Sequence, residues 1–457
     1  MTPPAVKKEK APSYASSCNA CRQCTPLGAC LAFKGIEGAV PFLHGSQGCA
    51  TYIRRYLISH FREPIDIASS SFSEDSAIFG GERNFRRGIG NLTKQYSPRV
   101  IGVATTCLSE TIGDDVPSFL RQIEKDVTES EDQPKLVHVS TPSYTGSHID
   151  GFHEATRSVV KTFAVRGPVN NRLVIFPGMV STEDLRSLKQ DFNAFELHGI
   201  LAPDYSDTMD GPAWESYHRM SPGGTPLSEL ALFGGAKAAI DFTHCVADKQ
   251  LAGSYLQETF GIVRHRLPAP MGIEATDRWL ELLSTLSGKE IPAHYQEQRG
   301  RLIDAVVDGH KYLSRVPVAL FGEADHVLGL CAFLSGLGLE IRLVATGGKT
   351  KGFEEAVNNN LSGESTPEIL NGVDFRDIER AVERLEPKLL VGNSKGYTLS
   401  RRKKLPLMRT GFPIHDRFGG QRLLHFGYAG AQRLLDELIN TVITHRQAES
   451  DVGWTYI

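Results

Sequence analysis

Residues 39–59 read AVPFLHGSQGCATYIRRYLIS. The apolar run Ala39 to Leu43 is a strand signal that ends in the glycine-rich turn His44-Gly45-Ser46-Gln47-Gly48, and a helix follows from about Cys49 to Ser59. Strand, tight turn and helix in immediate succession form the repeating unit of a parallel sheet covered on both faces. The unit recurs along the chain. Phe85, Ile89, Leu92 and Tyr96 fall on one helical face, and Val100–Val103 is a buried-strand run. Asp115 and Pro117 open another helix, and Leu136–Val139 is the next strand. A second set starts at the strand Leu173–Phe176. It runs through a helix capped by Ser181, with Asp184 three residues on, and one opened by Thr225-Pro226, to a long helix from about Gln296 to Leu313. A third set starts at Pro317–Phe321 and contains strands near Ile341–Val344 and Leu389–Val391. It ends in a helix bearing Leu434, Leu438 and Val442 on one face. The reading predicts an α/β protein of three doubly wound, Rossmann-like domains with parallel sheets. A mobile polar tail over residues 1–17 precedes domains at 18–170, 171–314 and 315–457, the last with the C-terminal helix.

Length agrees, since 457 residues at roughly 150 per domain make about three. Apolar residues are 40% of the chain and charged residues 23%, enough for a sizeable core. A net charge of −3 argues against nucleic acid as a partner. The longest charge-free apolar stretch, Val327 to Leu339, is 13 residues, too short to span a bilayer. Lys7, Lys8 and Lys10 are followed by no apolar segment, so a secretory signal is not read. A soluble cytoplasmic protein, bound to neither nucleic acid nor membrane, is expected.

Eight cysteines are too few for a disulfide scaffold. Six of them, Cys18, Cys21, Cys24, Cys30, Cys49 and Cys107, crowd into the first quarter, which points to soft-metal ligation. Cys24 precedes the helix opened by Thr25-Pro26, Cys49 follows the strand Ala39–Leu43, Cys107 follows Val100–Val103, and Ser143 follows Leu136–Val139. Carboxyl ends of strands form the ligand crevice of an open parallel sheet. Four soft or oxygen donors, spread over about 120 residues, therefore converge on one sheet edge. Helix N-termini there are expected to lower the thiol pKa values. Any single free cysteine is ordinarily a core residue, but three at equivalent strand ends favour a metal site. Zinc pairs usually come as local Cys-x-x-Cys knuckles, which Cys49 and Cys107 lack. An iron–sulfur cluster completed by another subunit fits isolated thiolates better. Cys18-Asn-Ala-Cys21-Arg-Gln-Cys24 starts like a ferredoxin run but has no fourth cysteine followed by proline, so Cys18 and Cys21 are read as spare thiols. Cys30, Cys245 and Cys331 are read as core. Gly45 and Gly48 lack the Lys-Ser/Thr pair of a phosphate loop.

Taken together, Cys24-Thr-Pro-Leu-Gly-Ala, His44-Gly-Ser-Gln-Gly-Cys49, Phe79-Gly80-Gly81, Thr105-Thr-Cys107-Leu-Ser-Glu-Thr-Ile-Gly-Asp-Asp115 and Thr141-Pro-Ser143-Tyr-Thr-Gly-Ser-His148 resemble the β-type subunit of nitrogenase component 1. The likeness continues through Ser221-Pro-Gly-Gly-Thr225, Gln298-Arg-Gly-Arg-Leu302, Gly392-Asn-Ser394 and Phe412-Pro-Ile-His-Asp-Arg417, nearly the whole chain after the tail. The resemblance implies three Rossmann-like domains. It implies that Cys24, Cys49 and Cys107 are this subunit's ligands to an iron–sulfur cluster of P-cluster type (8Fe-7S), shared with a homologous α-type subunit in an α₂β₂ heterotetramer. Cys49 would bridge the two halves, and Ser143 would join the iron when the cluster is oxidised. Phe79 would mark the docking surface of the ATP-hydrolysing iron protein, where the alternative is a helix-end core residue. The reductase cofactor would lie in the α-type subunit, so no catalytic residue is assigned here.

Within that family only 23 residues precede Cys24, and this, with Tyr52-Ile-Arg-Arg-Tyr56, looks more like nitrogenase-like reductases or the cofactor-assembly scaffold than like dinitrogen-reducing β subunits. Scaffold subunits commonly lose cluster ligands, and this chain keeps all four. The reading is therefore a reductase of the methylthio-alkane type, cleaving carbon–sulfur bonds of small thioethers. The alternative is the β-type subunit of the assembly scaffold.

Overall fold

Three all-parallel sheets organise the chain in a computed structural model that describes residues 20–126, 133–362 and 366–453; the tail expected over 1–17, and Cys18, lie outside the described residues. The first sheet is ordered β2-β1-β3-β4, from β1 (Ala39–His44), β2 (Ala68–Ser69), β3 (Val100–Thr105) and β4 (Lys135–Val139). The second is ordered β6-β5-β7-β8, from β5 (Arg172–Phe176), β6 (His198–Leu201), β7 (Ala238–Phe242) and β8 (Val263–Leu267). In the third, β11-β10-β9-β12-β13, the strands are β9 (Pro317–Gly322), β10 (Glu340–Thr346), β11 (Glu368–Asn371), β12 (Leu389–Gly392) and β13 (Leu407–Arg409). The expected doubly wound α/β class is the one observed.

Each sheet reverses its strand order once, and the crevice at such a reversal is where open α/β sheets hold ligands. In the first sheet the reversal lies between β1 and β3, which pair in register from Ala39↔Val100 to His44↔Thr105. Every residue of both strands is buried, as the continuous apolar runs require of a sheet covered on both faces. In the second sheet the reversal lies between β5 and β7.

The helices that matter for the first sheet are α1 (Thr25–Lys34), α2 (Gln47–Phe61), α3 (Glu74–Phe79), α4 (Glu82–Tyr96), α5 (Cys107–Ile112), α6 (Val116–Asp126) and α7 (His148–Phe163). All ten residues of α1 are buried. The helix is sandwiched: a Cβ on Gly102 of β3 would lie 2.2 Å from the Phe33 ring, and one on Gly28 would lie 1.7 Å from the His148 carbonyl oxygen. Reciprocally, a Cβ on Gly151 of α7 would lie 2.0 Å from the Thr25 oxygen. Two glycines thus let α1 and α7 cross backbone against backbone.

Besides a shared apolar core, polar contacts join the units. His60 Nδ1 accepts the Ile414 N–H at 3.0 Å, His148 Nε2 lies 2.7 Å from Glu323 Oε1, and Thr243 Oγ1 donates to Asp325 at 2.6 Å. The capping box predicted at Ser181 is present on α8 (Thr182–Ala194). The C-terminal helix, Gly427–Glu449, lies against the helix Ala293–Leu313, where a Cβ on Gly309 would come within 2.7 Å of Ile439. No helix among the described residues is long and apolar enough to cross a membrane.

Candidate metal centre at the edge of the first sheet

Cys24 is the N-cap of α1, with extended backbone at φ −71° and ψ 149°. Its carbonyl accepts the Leu27 N–H at 3.1 Å. Cys49 sits in the first turn of α2, which Ser46 caps by accepting the Gly48 N–H at 3.2 Å. Cys107 is the first residue of α5, directly after β3. Ser143 lies in the loop after β4.

Specific contacts draw these loops together. Ser109 Oγ donates to the His44 carbonyl at 2.8 Å and the Thr106 N–H donates to the same oxygen at 3.1 Å, tying the Cys49 loop to the Cys107 loop. A Cβ on Gly45 would lie 1.9 Å from Thr106 Oγ1, so the close approach requires glycine there. Thr141 holds the β4 loop to the end of β3, its N–H donating to Thr105 Oγ1 at 2.8 Å and its hydroxyl to the Thr105 carbonyl at 2.6 Å. Ser143 then joins two of the cysteine loops: its N–H donates to Cys107 Sγ at 3.3 Å, and its Oγ accepts the Thr25 N–H at 3.2 Å. The donors that sequence reading grouped are brought to one edge, one per loop. Among the described residues no three His, Cys, Asp or Glu side chains are placed to hold a single metal ion.

Electrostatics correct one expectation. Burial first, then the neighbouring Cys49 and Cys107, push the Cys24 thiol up to about 11. Burial, then Cys107, likewise raises Cys49. The helix N-termini do act in the opposite sense through backbone N–H groups, but burial outweighs them. Without a nearby cation these thiols stay protonated. The donor set therefore fits a resident iron–sulfur group: soft sulfur donors short of positive charge, which coordinated metal supplies while deprotonating them. The half-buried Cys24 and Cys49 and the exposed Cys107 put the set at the protein surface, where another chain can complete it.

Cys21 stands apart, buried against Ala319, Phe321 and Leu343 of the third unit, and burial pushes its thiol up to about 12. Cys30 and Cys331 are core residues as read. Cys245 is not fully so. It is only partly buried and lines a cavity, because it belongs to the loop after β7 rather than to an element interior.

Phe79 ends α3 and is 84% exposed, which overturns the core alternative for it. The next two residues explain why it protrudes. Gly80 takes φ +90°, and the Gly81 N–H donates to the Asp114 carboxylate at 3.1 and 3.2 Å. Asp114 in turn lies 2.9 Å from His44 Nε2, and His44 Nδ1 lies 3.1 Å from Ser70 Oγ. Sequence reading missed this His44–Asp114 pair. Both residues lie inside motifs that were singled out, yet nothing local indicates a contact 70 positions apart.

A profile of the family described as nitrogenase component 1 type oxidoreductase matches residues 24–443. The nitrogenase molybdenum-iron protein beta chain of Clostridium pasteurianum is 34% identical over 448 residues, covering 97% of this chain and 97% of its own. That of Methanococcus maripaludis is also 34% identical, covering 92% and 93%, and that of Azotobacter vinelandii is 32% identical, covering 94% and 85%. The solved structure of nitrogenase Cp1 at pH 6.5 superposes with a TM-score of 0.91 at 33% identity, covering 98% of each chain. A chain of nitrogenase Cp1 at pH 5 matches at a TM-score of 0.69 and 14% identity, a likeness of fold alone. Motifs, sheet topology and whole-length similarity agree: this chain belongs to the nitrogenase component 1 type oxidoreductase family, as a β-type member.

Proposed function

We propose that this chain is the electron-relaying β-type subunit of a cytoplasmic nitrogenase-like reductase. In this reading Cys24, Cys49, Cys107 and Ser143 hold an iron–sulfur cluster of P-cluster type, shared with an α-type subunit in an α₂β₂ heterotetramer. An ATP-hydrolysing iron protein docks over Phe79. The observation that carries the reading is the double engagement of Ser143, through its N–H with Cys107 Sγ and through its Oγ with the Thr25 N–H. That serine places a hard oxygen donor among soft thiols. When bound, the cluster supplies stepwise one-electron storage. The chain's own residues would position the donors and offer oxygen or sulfur as the charge on iron changes. Coupling between docking and the cluster loops is supported by the His44–Asp114–Gly81 contacts, which join the strand leading to Cys49 with the glycines behind Phe79.

The substrate class we infer is small thioethers, reduced at a cofactor in the α-type subunit. The full donor set favours a reductase over the assembly scaffold. A nitrogenase role proper is favoured by the 34% identity to the clostridial beta chain over 97% of each chain. One experiment separates the three. The purified complex, supplied with iron protein, ATP and reductant, is given dimethyl sulfide or dinitrogen in parallel. Methane and methanethiol from the sulfide, with little ammonia, support thioether reduction. Ammonia as the main product supports the nitrogenase role, and turnover of neither supports the scaffold.

A further inference from the structure

A cavity of about 250 Å³ lies where the three units meet, separate from the cysteine edge. It is bounded by Pro177-Gly178 after β5 and Cys245-Val246 after β7, the strand-order reversal of the second sheet. The loops after β9 and β10, the start of α7 and the segment 411–426 that carries His425 also line it. Position alone thus makes it a ligand crevice of the kind open parallel sheets provide.

Its chemistry is specific at one atom. His425 is 4% exposed, and among the described residues its Nε2 has no hydrogen-bond partner. The other ring nitrogen, Nδ1, lies 2.8 Å from Asp184 Oδ2. Asp184 also accepts the backbone N–H groups of His425 and Phe426, at 2.7 and 3.1 Å. Burial pushes the Asp184 carboxyl up, but His425 and these hydrogen bonds outweigh burial and hold it below the usual carboxylate range. In the ring's single-proton form, Nδ1–H donates to the Asp184 carboxylate and Nε2 is the acceptor left open. Buried acceptors are rarely left unpaired.

The remaining lining sets the ligand's character. Met179, Met271, Phe242 and Phe426 form apolar and aromatic wall. Four carboxylates, from Asp150, Asp184, Glu323 and Asp325, outnumber the two lysines, Lys349 and Lys351, so the field disfavours an anion. Those carboxylates already have partners in Ser147, His425, His148 and Thr243. A cavity of about 150 Å³ accepts a benzene ring, so this larger one accommodates a single ring with a polar substituent.

We propose that this cavity binds a small organic molecule, neutral or cationic, that has an apolar body and donates one hydrogen bond to His425 Nε2. The proposal is independent of the iron–sulfur reading. Saturation-transfer NMR on the purified full-length protein tests it with phenol, benzylammonium and benzoate as matched probes. Phenol and benzylammonium should bind in the millimolar range or tighter, and benzoate at least about tenfold more weakly. His425→Leu should weaken phenol by about tenfold with iron content unchanged. No binding of either donor probe, equal binding of benzoate, or an unaltered affinity in the variant would overturn the proposal. Should His425→Leu fail to fold, wild-type crystals soaked in 4-bromophenol decide. Bromine in the cavity, with the phenol oxygen in hydrogen-bond range of His425 Nε2, supports the assignment, and bromine only elsewhere overturns it.

Discussion

Phe79 places an aromatic ring in solvent at the end of α3, where no core packing requires it. Changing it to Ala removes no buried contact, so stability should stay within about 0.5 kcal/mol of wild type. Bound iron should also be unchanged, while ATP-dependent electron delivery weakens. Rapid-mixing kinetics with the iron protein measures the delivery, and a loss of iron or folding instead would make the residue structural. The cysteines teach a second lesson at this scale. Their grouping could be read because each one follows a strand or precedes a helix. Their ionisation could not be read, because burial and mutual repulsion depend on how closely three separate loops approach. A helix N-terminus argues for a thiolate only where the thiol is not also buried.

At the level of elements, the α1–α7 crossing fixes the distance between the Cys24 and Ser143 loops. Gly28→Ala would drive a methyl group into the His148 carbonyl, a backbone atom that cannot rotate away. We expect a loss of at least about 2 kcal/mol, in the upper part of the overpacking range, read from denaturant unfolding. Wild-type stability would mean that the two helices do not pack as closely as described. The strands show how far sequence carries. Val100 to Val103 and Leu389 to Val391 are apolar runs and were legible as buried strands, which the structure extends to Thr105 and Gly392. Strand β8, Val263-Arg-His-Arg-Leu267, was not, because an edge strand carries charge. Its Arg264 reaches the buried Asp241 at 2.6 Å, a pairing that only the assembled sheet reveals. The Ser181–Asp184 capping box was legible for the same local reason that His44–Asp114 was not: its partners are three residues apart. That Asp184 also anchors His425, 241 positions away, has no local signature.

In the whole molecule, neutral histidines are buried where the units join. Burial pushes His60 and His326 from 6.5 down to about 3, and His153 down to about 4. The unfolded chain takes up these protons near pH 6.5, whereas the folded chain resists them. The stability they confer is therefore full above pH 6.5 and is lost as pH falls toward 4 and then 3. Each histidine costs on the order of 1 kcal/mol per pH unit over that window. Denaturant midpoints should decline steadily on acidification below pH 6.5. Midpoints that stay flat down to pH 4 would mean that the junction admits water and protons in the folded state.

The same assembly brings four donors from four loops to one edge, and the central claim is that they hold an iron–sulfur cluster. An EPR-monitored redox titration of the purified complex, with iron counted in each sample, tests it most directly. Cys49→Ala should remove the cluster iron and its signals. Ser143→Ala should keep the iron and the reduced spectrum, because Cys24, Cys49 and Cys107 remain, but shift or abolish the most oxidised paramagnetic state. A Cys49→Ala complex that retains full iron and the wild-type titration would contradict the account.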